Sequence, residues 1–298
     1  MRYGQGVALC LLAGNIWSLM GLGLRQIEDA SVWAILFWRS LGMIPVLLVF
    51  LWWTSRGRPL AAIRAVGVAG VLGGIGLVVA FAGAIYAFQT TTVANALLFF
   101  AASPFVAAVL GRIVLHEAVR PATWVAIGIA VFGILIMVRD GLDSGALFGN
   151  MAALLSAAGF GTFSVVLRWG RVGDMLPAVL LGGVFSAIVA AAVLVVQGAM
   201  IVVSVHDMGV ALVIGAIVVA LGLVLFTLGS RVVPAAELTL LSLIEVLLGP
   251  IWVWLFLGET ASGNTLIGGM VLLAAVLLNG LAGAARKSSE GVADRSVP

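Results

Sequence analysis

Apolar residues run along this chain in stretches long enough to cover whole helices on every face, separated by short polar joints. Ten such runs can be traced, at roughly Gln5–Leu24, Val32–Trp53, Ala65–Phe88, Thr91–Leu115, Pro121–Val138, Gly149–Leu167, Met175–Val196, Met208–Leu228, Pro234–Leu257 and Ala261–Ala284. Each approaches the roughly 20 residues that a helix needs to cross a hydrocarbon core. The apolar-out, polar-in alternation of a transmembrane β-barrel is absent. In lipid every backbone donor must be satisfied inside its own element, which leaves helices. The pattern predicts an all-α membrane protein with ten transmembrane helices. Arg2 followed by an apolar stretch has the look of a signal peptide, but the many similar stretches that follow make it a retained first span.

Composition agrees with the pattern. Hydrophobic residues are 63% of the 298 and charged residues 9%, against about 25% charged in a soluble domain. The net charge of +3 is small, and its placement carries the information. Lys and Arg in short loops set orientation. With the N-terminus cytoplasmic, that side holds Arg2, Arg56, Arg58, Arg64, Arg112, Arg120, Arg168, Arg171, Arg231, Arg286, Lys287 and Arg295, and the far side only Arg25 and Arg139. Both termini are therefore expected in the cytoplasm. The basic groups form no nucleic-acid stripe, so the expected partners are the bilayer and a small-molecule solute, with the chain a monomer or homodimer. The single cysteine, Cys10, allows no intramolecular disulfide.

The two halves repeat one another. Gly6, Leu11, Leu12 and Arg25 recur 143 positions later as Gly149, Leu154, Leu155 and Arg168; Ala94, Leu98 and Glu117 recur 142 positions later as Ala236, Leu240 and Glu259. The charged pairs carry the argument, because leucine matches arise by chance in apolar chains. Five spans per half is an odd number, so the second half enters the membrane from the opposite side. The expected organisation is two inverted five-helix repeats, 1–140 and 141–285, with a tail at 286–298. Such inverted repeats are a recurring plan in secondary transporters, where the halves rock about a central site.

The stretch from Ala87 to Met137 carries a small-residue run, the mid-span Pro104, Glu117 thirteen residues on and then a glycine-bearing span. It resembles the EamA-type repeat of the drug/metabolite transporter superfamily. The second copy, with Glu245 and Glu259, is similar, although Val246 stands where the family usually has proline and Pro250 appears instead. Phe37-Trp38-Arg39 in span 2 also resembles the family. The resemblance covers nearly the whole chain and implies a carrier in the bacterial inner membrane. It also implies a cavity lined by spans 1, 3, 4, 6, 8 and 9, with spans 5 and 10 peripheral. The superfamily carries many solute classes, amino acids and drugs among them.

Several residues point to a solute path. Trp33, Trp52, Trp53, Trp124, Trp169, Trp252 and Trp254 lie near span ends, where indoles anchor to headgroups. Trp17 does not, and its N–H at bilayer depth, beside Asn15, calls for a polar neighbour or a wet cavity. Phe160 is its repeat counterpart; Trp38, Tyr86 and Phe99 are candidates for the same wall. Arg39, Glu237 and Glu245 are charges within spans. Each costs about 2.5–3.5 kcal/mol at the bilayer centre on insertion scales, so it faces a partner, water or a solute. By the repeat, Glu237 matches Asn95 and Glu245 matches Ser103. Glu117 and Glu259 are expected to cap or pack their span ends. Gly67, Gly70 and Gly74 are expected to form one contact face on span 3, and Pro45, Pro104, Pro177 and Pro250 to kink their spans.

No GxxxxGK[ST] is present, so ATP is not the expected energy source. An intramembrane enzyme would need a nucleophile–base pair or metal ligands at depth. His116 and His206 read as loop residues, and neither HExxH nor an intraspan Asp occurs, so no enzyme, metal or cofactor is expected. A structural factor and a channel are the other classes. The expected function is export of a small amphipathic metabolite, an amino acid in the first instance, with a hydrophobic cation or drug as the alternative. The topology is testable with reporter fusions in the loops after Val138 and Val196. Both should report the far side, and a cytoplasmic signal from both would overturn the orientation and the inverted repeat together.

Overall fold

The computed structural model describes residues 2–144, 146–233 and 235–293; the side chains of 140–144, 235–240, 242 and 282–293 lie outside that description. No strand occurs among the described residues. Ten helices follow the apolar runs. They are α1 (Tyr3–Leu24), α2 (Val32–Thr54), α3 (Gly67–Thr90), α4 (Val93–Val114), α5 (Pro121–Ser144), α6 (Leu147–Trp169), α7 (Leu176–Val196), α8 (Val205–Ser230), α9 (Ala235–Leu257) and α10 (Gly263–Ala293). Apart from α9, whose described apolar part is Leu243–Leu257, each is long and apolar enough to span a bilayer.

The principal helix contacts recur when every helix is exchanged with the one five places on. Helix α3 lies on α6 as α8 lies on α1, α3 meets α7 as α8 meets α2, and α4 meets α6 as α9 meets α1. The pairs α2–α7, α4–α9 and α5–α10 map onto themselves. This is the signature of two repeats related by an axis in the membrane plane. The α5–α10 pair sits at the edge, and among the described residues its main contacts outside the pair are with α4, α6 and α9.

Apolar side chains gain nothing by leaving lipid for another helix, so close backbone approach has to supply the contact energy. The α3–α6 crossing shows how. A Cβ at Gly159 would stand 2.6 Å from the Gly76 carbonyl, and one at Gly76 would stand 3.0 Å from the Gly159 carbonyl. The contact face of α3 therefore differs from the expected Gly67, Gly70 and Gly74. Gly73, Gly76 and Gly83 meet α6, Gly74 meets α7, and Gly67 touches nothing.

The expected proline kinks need correction too. Helix α4 is interrupted at Ala101–Ala102, just before Pro104, because the proline ring excludes the carbonyl four residues back. Pro177 lies in the first turn of α7, where a missing N–H costs nothing, and α2 and α9 run unbroken through Pro45 and Pro250. Two irregularities lack a proline. Helix α1 is interrupted at Leu19. Helix α8 passes through a π-helical segment, Ile214–Leu221, a geometry found mostly at functional sites.

His206, expected in a loop, and its neighbour Asp207 lie just before the apolar run of span 8. Both sit in the first turn of α8, capped by Ser204. Asp207 is 1% exposed as a residue, and its carboxylate accepts backbone N–H bonds from Glu28, Asp29 and Ala30 at 3.1, 3.2 and 3.1 Å, fastening the α1–α2 loop to α8. Asp207→Ala leaves three donors stranded and should lower stability by about 2–3 kcal/mol. Asp207→Asn, which keeps an acceptor, should lose less. Thermal unfolding in detergent checks both, and an unchanged midpoint for Asp207→Ala would refute the fastening.

Candidate functional site

The site is best located from the polar groups that the fold leaves without partners. Trp17 is one. Its indole meets α8 at Gly222 through Nε1 and Cδ1, where any side chain would collide with the ring, and its ring centroid is 5.3 Å from that of Phe226. Trp17 is half-buried, and its Nε1–H has no partner among the described residues.

Glu245 is the second, ten residues into α9 and so roughly 15 Å along it at 1.5 Å per residue. It too is half-buried and finds no hydrogen bond or ion pair among the described residues. It adjoins α1, since a Cβ at Gly14 would lie 3.9 Å from the Glu245 backbone nitrogen. Gly14 is three residues, about one turn, below Trp17. Asn15, half-buried beside it, has its carbonyl oxygen bonded by the Ser18 hydroxyl at 2.6 Å.

Arg39 is the third. Its residue surface is 2% exposed, and its guanidinium carbon stands 4.3 Å from the centroid of the Phe81 ring on α3. Nε and Nη2 are buried without any hydrogen-bond partner among the described residues. The Arg39 carbonyl packs against Gly215 of α8. Arg39 and Trp17 thus abut α8 at Gly215 and Gly222, which bracket most of the π segment and are separated by roughly 10 Å at helical rise. Among the described residues there are thus an unpaired cation on α2, an unpaired carboxylate on α9 and an indole N–H on α1 without a hydrogen-bond partner; Arg39 and Trp17 touch α8 at either end of the π segment, and Glu245 lies against α1. A guanidinium fork suits a carboxylate, a carboxylate suits an ammonium group, and the indole face suits apolar surface.

The remaining candidates are placed elsewhere. Asn95 is buried, with its amide committed inside the protein: it donates to Thr91 Oγ1 at 3.2 Å and to Asn150 Oδ1 at 3.0 Å, and accepts from Thr265 at 2.9 Å. Phe99 has no exposed surface. The Trp38 indole donates to the Ile201 carbonyl at 2.9 Å. Tyr86 is 38% exposed on α3. Phe160 is half-exposed in a cleft of about 510 Å³ between α4 and α6, with Pro104, Phe163 and Arg168. A cleft of about 880 Å³ between α1, α8 and α9, lined by Leu19, Val210 and Phe256, is almost wholly apolar. Neither cleft contains the unpaired charges. The Glu237 side chain lies outside the described residues.

Sequence reasoning missed three contributors. Trp252 was expected to anchor at an interface, but its Nε1 donates to Ser18 Oγ at 2.8 Å, bolting α9 to the break in α1. Phe81 carried no signal beyond being one apolar residue among many. Arg25 pairs with Glu259, Nε to Oε2 at 2.8 Å, and Arg168 with Glu117, Nη1 to Oε2 at 2.8 Å. The repeat offset matches arginine with arginine and glutamate with glutamate, which makes the two pairs equivalent but does not say which arginine meets which glutamate.

Comparison with known proteins agrees with this architecture. A search of curated protein sequences finds no match. A solved structure, described only as the crystal structure of a protein, superposes with a TM-score of 0.65 over 93% of this chain and 98% of its own, at 17% identity, which supports the fold alone. The profile of the EamA-like transporter family matches residues 4–139 and again 147–281. With ten helices in two exchangeable sets of five and that profile matched once by each half, the chain belongs to the EamA-like transporter family.

Proposed function

We propose that this protein is a carrier that exports a small zwitterionic metabolite, an amino acid in the first instance, across a bacterial inner membrane by alternating access, with both termini in the cytoplasm. The observation that carries the reading is that Arg39 and Glu245, charges of opposite sign within spans, both lack a hydrogen bond or ion pair among the described residues. A cation buried without a partner is costly, and a solute carboxylate would satisfy Nε and Nη2 together. Glu245 would take the ammonium end, and Trp17 and Phe226 the apolar side chain. The buried guanidinium also argues against the hydrophobic-cation alternative, since it would repel such a solute. A phosphorylated solute would want several basic groups at this depth, and Arg39 alone is present among the described spans.

The arginine gives a test with opposite signs. Arg39→Met removes an insertion cost of about 2.5–3.5 kcal/mol and a cation–π contact of about 0.5–2 kcal/mol. It should therefore raise stability by about 1–2 kcal/mol while abolishing the thermal shift that amino acids induce in purified protein. A stability loss would mean that Arg39 is a structural member. In proteoliposomes labelled amino acids should move and lipophilic cations should not, and Trp17→Ala should weaken transport most for solutes with large apolar side chains. Movement of cations without amino acids would replace this reading with the drug-type one.

A further inference from the structure

Two clusters at opposite ends of the bundle are built alike. Helix α4 ends in a left-handed residue, His116 at φ 56°, and α9 in Gly258 at φ 66°. The next N–H in each case reaches back six residues, Glu117 to the Gly111 carbonyl and Glu259 to the Val253 carbonyl, both at 3.3 Å. This is the wrapped helix end in which the left-handed residue turns the chain across the last carbonyls. It aims each glutamate sideways at the arginine that ends the neighbouring helix of the other repeat: Glu259 at Arg25 of the α1 end, Glu117 at Arg168 of α6. Because the repeats are inverted, one pair lies at each membrane face.

The two pairs are equivalent in origin and unequal in state. Arg25 uses all three nitrogens: Nε on Glu259, Nη1 on the Phe88 carbonyl at 2.7 Å and Nη2 on the Thr91 carbonyl at 2.8 Å. Glu259 Oε1 also accepts the Val93 N–H at 2.6 Å. One ion pair thus ties the ends of α1, α3, α4 and α9, and its side chains are 26% and 18% exposed. Arg168 donates to Glu117 and, at 3.4 Å, to the Ala107 carbonyl; the stretch that mirrors Thr91–Val93 falls at 233–236, mostly outside the described residues, so exposure is what distinguishes the two pairs. The Arg168–Glu117 pair is 47% and 44% exposed, at the lip of the 510 Å³ cleft between α4 and α6.

We infer that Arg25–Glu259 and Arg168–Glu117 are the two gates of the transport cycle, fully engaged one at a time, and that the structure has the Arg25 end shut and the Arg168 end partly released. This rests on the carrier reading above and adds the residues that close each face. Symmetry supplies the alternation: exchanging the repeats turns the tight cluster into the loose one, so the same chain with its halves' conformations swapped is open at the opposite face. The bonds at the shut end are charge-assisted and go to backbone carbonyls at helix ends, so they must break together when α1 and α9 part from α3 and α4. Their residual exposure lets water take them over as they do.

The test uses full-length protein in sealed vesicles of both orientations, with Cys10→Ser and the reporter Trp17→Cys labelled by a membrane-impermeant methanethiosulfonate. Glu259→Gln should speed labelling from the Arg25 side at least tenfold and slow it from the other. Glu117→Gln should do the reverse. Exchange of the charges, Arg25→Glu with Glu259→Arg, should bring the sidedness back towards that of the parent. Should Glu259→Gln fold poorly, Val93→Pro removes one gate hydrogen bond at a first helical position, where proline is tolerated, and should shift labelling the same way. Sidedness within twofold of the parent in every folded variant would overturn the gates and leave the pairs as plain struts. Labelling reports which face is open whatever the solute, so working gates without amino-acid transport would count against the substrate alone.

Discussion

A charge inside hydrocarbon must find an opposite charge, water or a cargo, and this single cost organises the molecule. Most of the 27 charged side chains of the sequence sit in loops or at helix ends. Those near the ends that fold inward are matched: Arg25 with Glu259, Arg168 with Glu117, and Asp207 with three backbone N–H groups. Against that thrift the two unmatched charges at depth stand out. Among the described residues Arg39 and Glu245 are not paired by their neighbours; the first touches α8 at the start of its π segment and the second lies against α1. A helix bundle selected for stability alone would have replaced them with leucine.

The architecture was legible because it is written in one-dimensional quantities. Span length, the arginine distribution and a repeat offset of 142–143 need no side-chain geometry, and they led to ten helices in two sets of five. The same offset failed to reveal the ion pairs, because an inverted repeat brings unlike elements together and similarity along the sequence cannot report contact across it. Trp17, Arg39 and Glu245 were readable because a polar group in an apolar run is conspicuous. Asn95 was equally conspicuous, yet Thr91, Asn150 and Thr265 absorb its amide. Composition cannot distinguish a polar group awaiting a solute from one already satisfied by a distant helix. Phe81, the ring beneath Arg39, looks like any other apolar residue until α2 and α3 are placed side by side.

The halves share a packing scheme but not their irregularities. Interruptions fall in α1 and α4 of the first repeat, whereas α6 and α9 run unbroken and the π segment belongs to α8, with α3 regular. Symmetry in the contacts is what the proposed alternation between two mirrored states requires, and the irregular helices are where the two halves differ.

The Asp207 fastening has a mechanical meaning. One carboxylate grips three consecutive N–H groups of the α1–α2 loop from the head of α8, so these bonds share a single point of failure. A force that tilts α8 does not peel the loop away one contact at a time; it either drags the whole loop or shears all three bonds at once. The loop therefore behaves as a rigid link between a helix of the second repeat and the hairpin of the first. Any rocking of one half is delivered to the other as a displacement at residues 28–30, three positions from the Arg25 side chain.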